Sequence, residues 1–374
     1  ADDKNGNGII DFALGETSGS FINAIERLDE LKSLGVNTIH LLPITPVGKI
    51  KSLGTAGSLY AMSDFTSINM QLSDELSDLS IKNQAKKFFE ECHKRGIKVI
   101  VDLPSCGAYD LFINRPDLFV TDDTGLPATP SDWTDVRLFK VPDDNSLFKT
   151  DIFILHKQFI NYMISLGADG IRADVATIKP YIFWKELIKY ARSKKSDLMF
   201  LAEASESWKE PASDKAYFTD YKKLLEAGFD GYYGDYFELN NRKSAEEFMT
   251  SIEERNKILS KYNEKKSTIG SFETHDVISP LLVGGENYSK IISEYEEYEK
   301  FSVGKLDEKD FLEKNMILLG LSRVLFTHSL PLVAAEQCYN KLLRDTRNLI
   351  MNLKQENKKE DAYKMLLKLI EDYN

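Results

Sequence analysis

Short apolar runs alternate with amphipathic helical stretches along most of this 374-residue chain, and that alternation narrows the possible folds more than any other feature. Phe21, Ile25, Leu28, Leu31 and Leu34 recur at helical spacing over residues 19–34, and Gly35 stops them. An apolar run from Val36 to Leu42 follows, ended by Pro43. Residues 81–95 read as a helix ended by Gly96, then Ile97 to Val101 as a buried strand. Residues 151–166 read as a helix stopped by Gly167, with a strand from Gly170 to Val175. A helix over 181–193 precedes a strand from Leu198 to Ala202. Phe229 to Tyr233 is a weaker strand. A helix over 243–260 leads to an extended stretch from Thr268 to Phe272, and a helix over 308–322 to a last strand from Leu330 to Ala335. The tail from Asn340 to Asn374 is charged and helical.

Helix and strand taking turns this way predict parallel βα units. Seven strands are visible and an eighth is arguable at the N-terminus. That number favours an α/β fold of the (β/α)8 TIM-barrel type over an open doubly wound sheet, with an inserted small domain after the third strand. A barrel needs about 250 residues. The remainder falls into insertions at 43–80, 104–150 and 273–307, each following a strand's C-terminal end, where barrel active sites are built. The expected division is 1–103 for the first part of the barrel, 104–150 for the inserted region, 151–340 for the rest, and 341–374 for a C-terminal helical segment. No C-terminal β-sandwich is evident.

Charge excludes some partners. Lys and Arg number 48 against 59 Asp and Glu, a formal net charge of −11. An acidic chain is a poor general phosphate binder, which disfavours nucleic acid and anionic membrane surfaces. No apolar run approaches the ~20 residues of a membrane helix. Cys92, Cys106 and Cys338 are odd in number and far apart, with neither a disulfide framework nor a zinc spacing. The chain begins at Ala1 with no signal-like segment, which leaves the compartment open.

Acidic residues stand at four strand ends. Asp102 closes IKVIVD, Arg172 and Asp174 lie in GIRADV, Glu203 closes LMFLAE, and Glu273, His275 and Asp276 lie in GSFETHD. Side chains two apart on a strand share a face, so Arg172 and Asp174 point together. A charge at the end of a buried strand does not help folding unless it is paired. Each acid alone is as well explained by a helix cap or an ion pair as by catalysis; all of them at successive strand ends are not. Carboxylates converging on one pocket suit glycosidic cleavage, which needs one ionised and one protonated acid. Mutual repulsion keeps one of them protonated, and an arginine beside the nucleophile holds that one ionised.

These blocks resemble the alpha-amylase family, glycoside hydrolase family thirteen. VDLPSCG with Asp102, GIRADV with Arg172 and Asp174, LAEA with Glu203, and FETHD with His275 and Asp276 resemble its four ordered motifs. GTAGSLYAMSDFTSIN resembles the loop whose tyrosine, here Tyr60, stacks on the reacting sugar. LDELKSLGVNTIHLLPI is similar to its first helix and second strand. The resemblance implies a retaining mechanism on α-linked glucose. Asp174 would be the nucleophile and Glu203 the general acid/base. Asp276 and His275 would grip sugar hydroxyls, Arg172 would orient Asp174, and Asp102 would support the pocket. The implied partner is an α-glucan such as starch, glycogen or a maltooligosaccharide. Three activities stay open: hydrolysis of α-1,4 links, glucosyl or maltosyl transfer through the same intermediate, and glucan binding without turnover. Polymer digestion leans toward an extracytoplasmic place, and unpaired cysteines lean the other way.

The chain also departs from the family pattern. Cys106 and Gly107 stand where the first motif usually has an asparagine and a histidine, which weakens the expectation of a structural calcium there and of a sugar contact. Thr177 and Ile178 replace a usual lysine–histidine pair. A different calcium signal lies at the N-terminus, where Asp3, Asn5, Asn7, Gly8 and Asp11 space as D-x-N-x-N-G-x-x-D. Leu14 stands where an EF-hand needs its bidentate glutamate, so the stretch resembles instead a metal loop of some alpha-amylase relatives; the rival reading makes Ile9 to Leu14 the first strand. No organic cofactor is implied. Trp133, Trp208, Tyr232 and Tyr233 are candidate sugar platforms, while Trp184, His40, His93, His156 and His328 read as structural.

Overall fold

The computed structural model describes residues 19–233, apart from 34, 53–56, 75 and 132, together with residues 250, 253–254, 257, 259–262 and 266–269. These belong almost wholly to one compact unit, Ser18–Asp235 with Asn256–Ile269; the rest of the chain forms a second unit. The metal-loop candidates Asp3, Asn5, Asn7 and Asp11, the acids Glu273 and Asp276, His275, the strand expected at 330–335 and the C-terminal helical segment lie outside the described residues.

The framework is a six-stranded parallel sheet flanked by helices. Its strands are β1 (Thr38–Leu41), β2 (Lys98–Leu103), β5 (Gly170–Ala173), β6 (Met199–Glu203), β7 (Gly231–Tyr233) and β8 (Ser267–Ile269), side by side in that order. Each strand neighbours the one before it in the sheet, and every pairing is parallel. A doubly wound sheet would reverse direction part-way; this one does not among the described strands. β3 (Cys106–Gly107) and β4 (Arg137–Leu138) form a separate antiparallel pair inside the insertion after β2.

Alternation along the strands sorts the side chains by face. Val99, Val101, Ile171, Ala173, Phe200 and Ala202 pack into the main core with the helices. Those helices are α3 (Ile81–Lys94), α5 (Asp151–Leu166), α6 (Tyr181–Lys194) and α7 (Tyr221–Ala227), which contribute Phe89, Phe159, Trp184 and Leu224, all fully buried. Asp102, Arg172, Leu201 and Glu203 have the opposite parity. Both faces of the central strands are therefore covered, and β2 reads as a continuous apolar run until its acid. Gly167, at φ 112°, ends α5 in the left-handed region, a conformation glycine adopts without strain.

Two elements differ from the sequence expectation. The helix read over 19–34 is split into α1 (Phe21–Glu26) and α2 (Leu28–Ser33) at Arg27, whose amide bonds back to Ala24 and Ile25. The helix α7 was not foreseen; seven residues give two turns, too few for the 3.6 period to stand out from Lys222 and Lys223. Inside the insertion lie α4 (Tyr109–Asn114) and a packed group of Phe112, Phe119 and Phe139 that also reaches Phe65 from the 43–80 stretch.

Candidate active site

The acids at the ends of β2, β5 and β6 meet, and one guanidinium joins them. Register sets this up, since Asp102 pairs with Arg172 across β2 and β5, and Arg172 with Leu201 across β5 and β6, two residues before Glu203. Arg172 Nη1 lies 2.9 and 2.8 Å from the Asp102 carboxylate oxygens and 3.3 Å from Asp174 Oδ1. Its Nη2 lies 2.9 Å from Glu203 Oε1. Asp102 is fully buried, whereas Asp174 and Glu203 each keep 8% of their surface exposed. Asp102 is thus a buried counter-ion for Arg172, and the other two carboxylates stay in reach of a small ligand.

Further groups complete the ring. Tyr60 donates its hydroxyl to Asp102 Oδ2 at 3.0 Å and accepts from Arg172 Nη1 at 3.3 Å. The guanidinium carbon sits 5.6 Å from the Tyr60 ring centre and 5.7 Å from that of Tyr233, a spacing compatible with cation–π attraction. His40 Nε2 stands 3.3 Å from Asp102 Oδ2 without a hydrogen bond to it. Burial and the Asp102 carboxylate push the Tyr60 phenol far up, and burial raises Tyr233 to about 12. Both hydroxyls therefore remain neutral donors across the ordinary pH range.

The turn after β5 is held on several sides. Ser105 donates its backbone N–H to Asp174 Oδ2 at 3.1 Å, and its hydroxyl hydrogen-bonds the Asp174 carbonyl. Val175 adopts φ 33°, a strained left-handed conformation for a β-branched residue, and its N–H donates to Glu203 Oε2 at 2.7 Å. Beneath, the Trp184 indole N–H donates to the Ala176 carbonyl at 2.7 Å. Burial pushes the Asp174 carboxyl well above the usual range, and the Glu203 carboxylate adds to the rise, with Arg172 opposing. The expectation that an arginine beside Asp174 holds it ionised meets an opposing balance here: Arg172 is shared among three carboxylates, so its pull on Asp174 is divided. The same sharing raises Arg172 itself above its usual value, against its burial. Asp174, buried beside a second carboxylate, therefore holds a proton more readily than an isolated aspartate does.

Other sequence candidates separate by position. Tyr60, Asp102, Arg172, Asp174 and Glu203 come together. Tyr232 does not present a ring face: it is fully buried, packed on Tyr221, with its hydroxyl on Glu206. Trp208 packs with Tyr60 and Val175 in a second apolar cluster, and Trp133 is exposed in the insertion. Trp184 and His156 are core, and burial lowers His156 to about 3. Cys106 is buried, with its thiol raised by burial to about 12, which removes it as a nucleophile. A Cβ on Gly107 would lie 2.7 Å from the Phe139 ring and 2.9 Å from Phe119, so this packing leaves no room for the histidine of the usual motif. Ser105, Val175 and Lys179 were missed by sequence reasoning; most of their contacts run through the backbone, for which residue type carries no signal. Among the described residues no cluster of three or more His, Cys, Asp or Glu is arranged to hold a metal ion.

No protein-family model matches the chain. It is 26% identical over 202 residues to an alpha-1,4-glucan:maltose-1-phosphate maltosyltransferase of Bifidobacterium animalis subsp. lactis, covering 50% of this chain and 27% of that protein. It is 27% identical over 206 residues to a maltogenic alpha-amylase of Bacillus acidopullulyticus, covering 50% and 32%. The chain thus spans a third or less of the length of these curated relatives. Among solved structures, an alpha-amylase from Lactobacillus plantarum superposes with a TM-score of 0.58 at 24% identity, over 71% of this chain and 61% of that one.

Proposed function

We propose, from its likeness to a maltosyltransferase and a maltogenic alpha-amylase, that this chain is an alpha-amylase-family enzyme that cleaves α-1,4-linked glucans or maltooligosaccharides with retention, through a covalent glycosyl-enzyme. The observation that carries the reading is the single Arg172 guanidinium contacting both Asp174 and Glu203 at the ends of adjacent strands. Asp174 attacks the anomeric carbon as the bond to the leaving oxygen breaks. Glu203 gives its proton to that oxygen and then takes one from the incoming water, whose oxygen bonds the anomeric carbon as the glycosyl–Asp174 bond breaks and frees the carboxylate. In the reactive complex the shared proton belongs on Glu203 and the charge on Asp174. Tyr60 offers its ring to the apolar face of the sugar. The six parallel strands are read as part of a (β/α)8 barrel, and residues 104–150 as its inserted domain. On the motif resemblance, His275 and Asp276 grip sugar hydroxyls. Calcium, held by Asp3, Asn5, Asn7 and Asp11, stays a proposal with a structural rather than a chemical role.

Transfer is the second reading, because one of the relatives is a maltosyltransferase and the same intermediate serves both outcomes. Incubation with maltooligosaccharides separates them: hydrolysis gives only shorter products, transfer gives longer ones. Hydrolysis of an activated maltoside that is lost in Glu203→Gln supports the catalytic reading. An unchanged rate in Asp174→Asn refutes the nucleophile, and maltoside binding without turnover leaves a glucan-binding protein.

A further inference from the structure

A fully buried lysine lies behind the acid pair. Lys179 is 1% exposed, and among the described residues it has no carboxylate within ion-pair distance. Its ammonium donates to the Ser105 carbonyl at 2.5 Å. Its own carbonyl accepts the Thr219 hydroxyl at 2.7 Å, and the Thr219 amide bonds the Thr177 carbonyl at 2.8 Å, which fixes the backbone around it. The rings of Phe139 and Phe183 stand 5.4 and 5.7 Å from the ammonium. The titratable groups facing it are Cys106, whose thiol is neutral, His156, also neutral near pH 7, and Asp174. A methionine would fill such a site without desolvating a charge, and one carbonyl is thin compensation for a buried ammonium. A lysine favours the charged form of both Cys106 and Asp174; the Cys106 thiol stays neutral all the same, which leaves Asp174 as the acid on which that charge can act.

We propose that Lys179 is a positioning residue for Asp174: its ammonium anchors Ser105, which gives its N–H to Asp174 Oδ2 and its hydroxyl to the Asp174 carbonyl, and its charge favours the ionised nucleophile. This rests on Asp174 being the nucleophile of the reaction proposed above. Burial lowers Lys179 to about 8, so the ammonium predominates below that pH. The pull toward the ionised form of Asp174, opposed by its burial and by Glu203, is then divided between Arg172, shared with two other acids, and Lys179, paired with none among the described residues.

The test uses the full chain, its Lys179→Gln form, which keeps a donor for the Ser105 carbonyl but no charge, and its Lys179→Met form, which keeps neither. The Asp174 carboxyl is titrated by 13C NMR on aspartate-labelled protein, its signal assigned by its absence in Asp174→Asn. kcat and KM are measured in parallel on an activated maltoside. The expected midpoint for Asp174 rises by about one pH unit in both variants, the size of effect one neighbouring charge produces. kcat is expected to fall in both, further in Lys179→Met, with KM within about twofold. An unchanged Asp174 midpoint in folded Lys179→Gln overturns the proposal, and that variant decides alone if Lys179→Met does not fold. Should the parent chain show no turnover, the enzymatic reading fails, while the NMR midpoint still decides the role of Lys179.

Discussion

At the scale of single residues, the account depends on how one arginine is divided. Asp102 takes its closest contacts and is wholly buried, so Asp102→Asn leaves Arg172 without its main counter-charge. That substitution should cost about 3–5 kcal/mol of stability, read from denaturant midpoints. Tyr60→Phe removes a hydroxyl bonded to both Asp102 and Arg172 and is expected to cost about 1–3 kcal/mol, while leaving the stacking ring. Asp174 makes a sharper prediction. Its pKa in the folded protein is raised, so ionising it opposes folding. The favourable contribution of its neutral form is complete below the ordinary aspartate value of about 4 and is lost as pH rises through the raised folded value. Asp174→Asn should therefore be more stable than the parent chain at neutral pH, with the gap closing toward pH 3 in thermal melts. A parent chain as stable as the variant at pH 7 would contradict the raised value. Strand-end position made Asp102, Arg172, Asp174 and Glu203 legible in the sequence. Lys179 was not legible, because its partner Ser105 lies 74 residues away and offers only a carbonyl.

At the scale of elements, the turn Val175–Ile178 matters most. Strain at Val175 aims an amide at Glu203, and Trp184 holds the Ala176 carbonyl from the core side. Trp184→Phe keeps most of the apolar bulk but leaves a buried carbonyl without its donor, at a cost of about 1–3 kcal/mol. Activity should fall in the same variant with stability still sufficient for folding, because the turn carrying Asp174 loses a fixed point. The insertion makes a second element-level prediction. Gly107 lies against Phe119 and Phe139, so Gly107→His, meant to restore the usual motif, should destabilise the chain by several kcal/mol through overpacking rather than improve sugar affinity. The strands β2, β5 and β6 were legible because buried parallel strands read as apolar runs bounded by helices and glycines. The break at Arg27 and the helix α7 were not: the first involves no proline or glycine, and the second is too short for its period to register.

At the scale of the whole molecule, sequential parallel pairing brings the distant acids of β2, β5 and β6 together at the C-terminal ends of neighbouring interior strands, and no local feature of the chain could do so. No helix among the described residues is long and apolar enough to cross a membrane. The N-terminal loop of Asp3, Asn5, Asn7 and Asp11 yields a prediction here. If it holds calcium, chelation should lower the melting temperature, and added calcium should restore it; equal melting with and without chelator would remove the metal from the account.

The most direct measurement of the central claim is trapping of the intermediate. The chain is incubated with a 5-fluoro-α-maltosyl fluoride, and the protein and its proteolytic peptides are weighed by mass spectrometry. One added glycosyl mass on the peptide bearing Asp174, absent in Asp174→Asn, is the predicted result. A labelled peptide elsewhere in the chain, or an unlabelled protein that still consumes the fluoride, would contradict it.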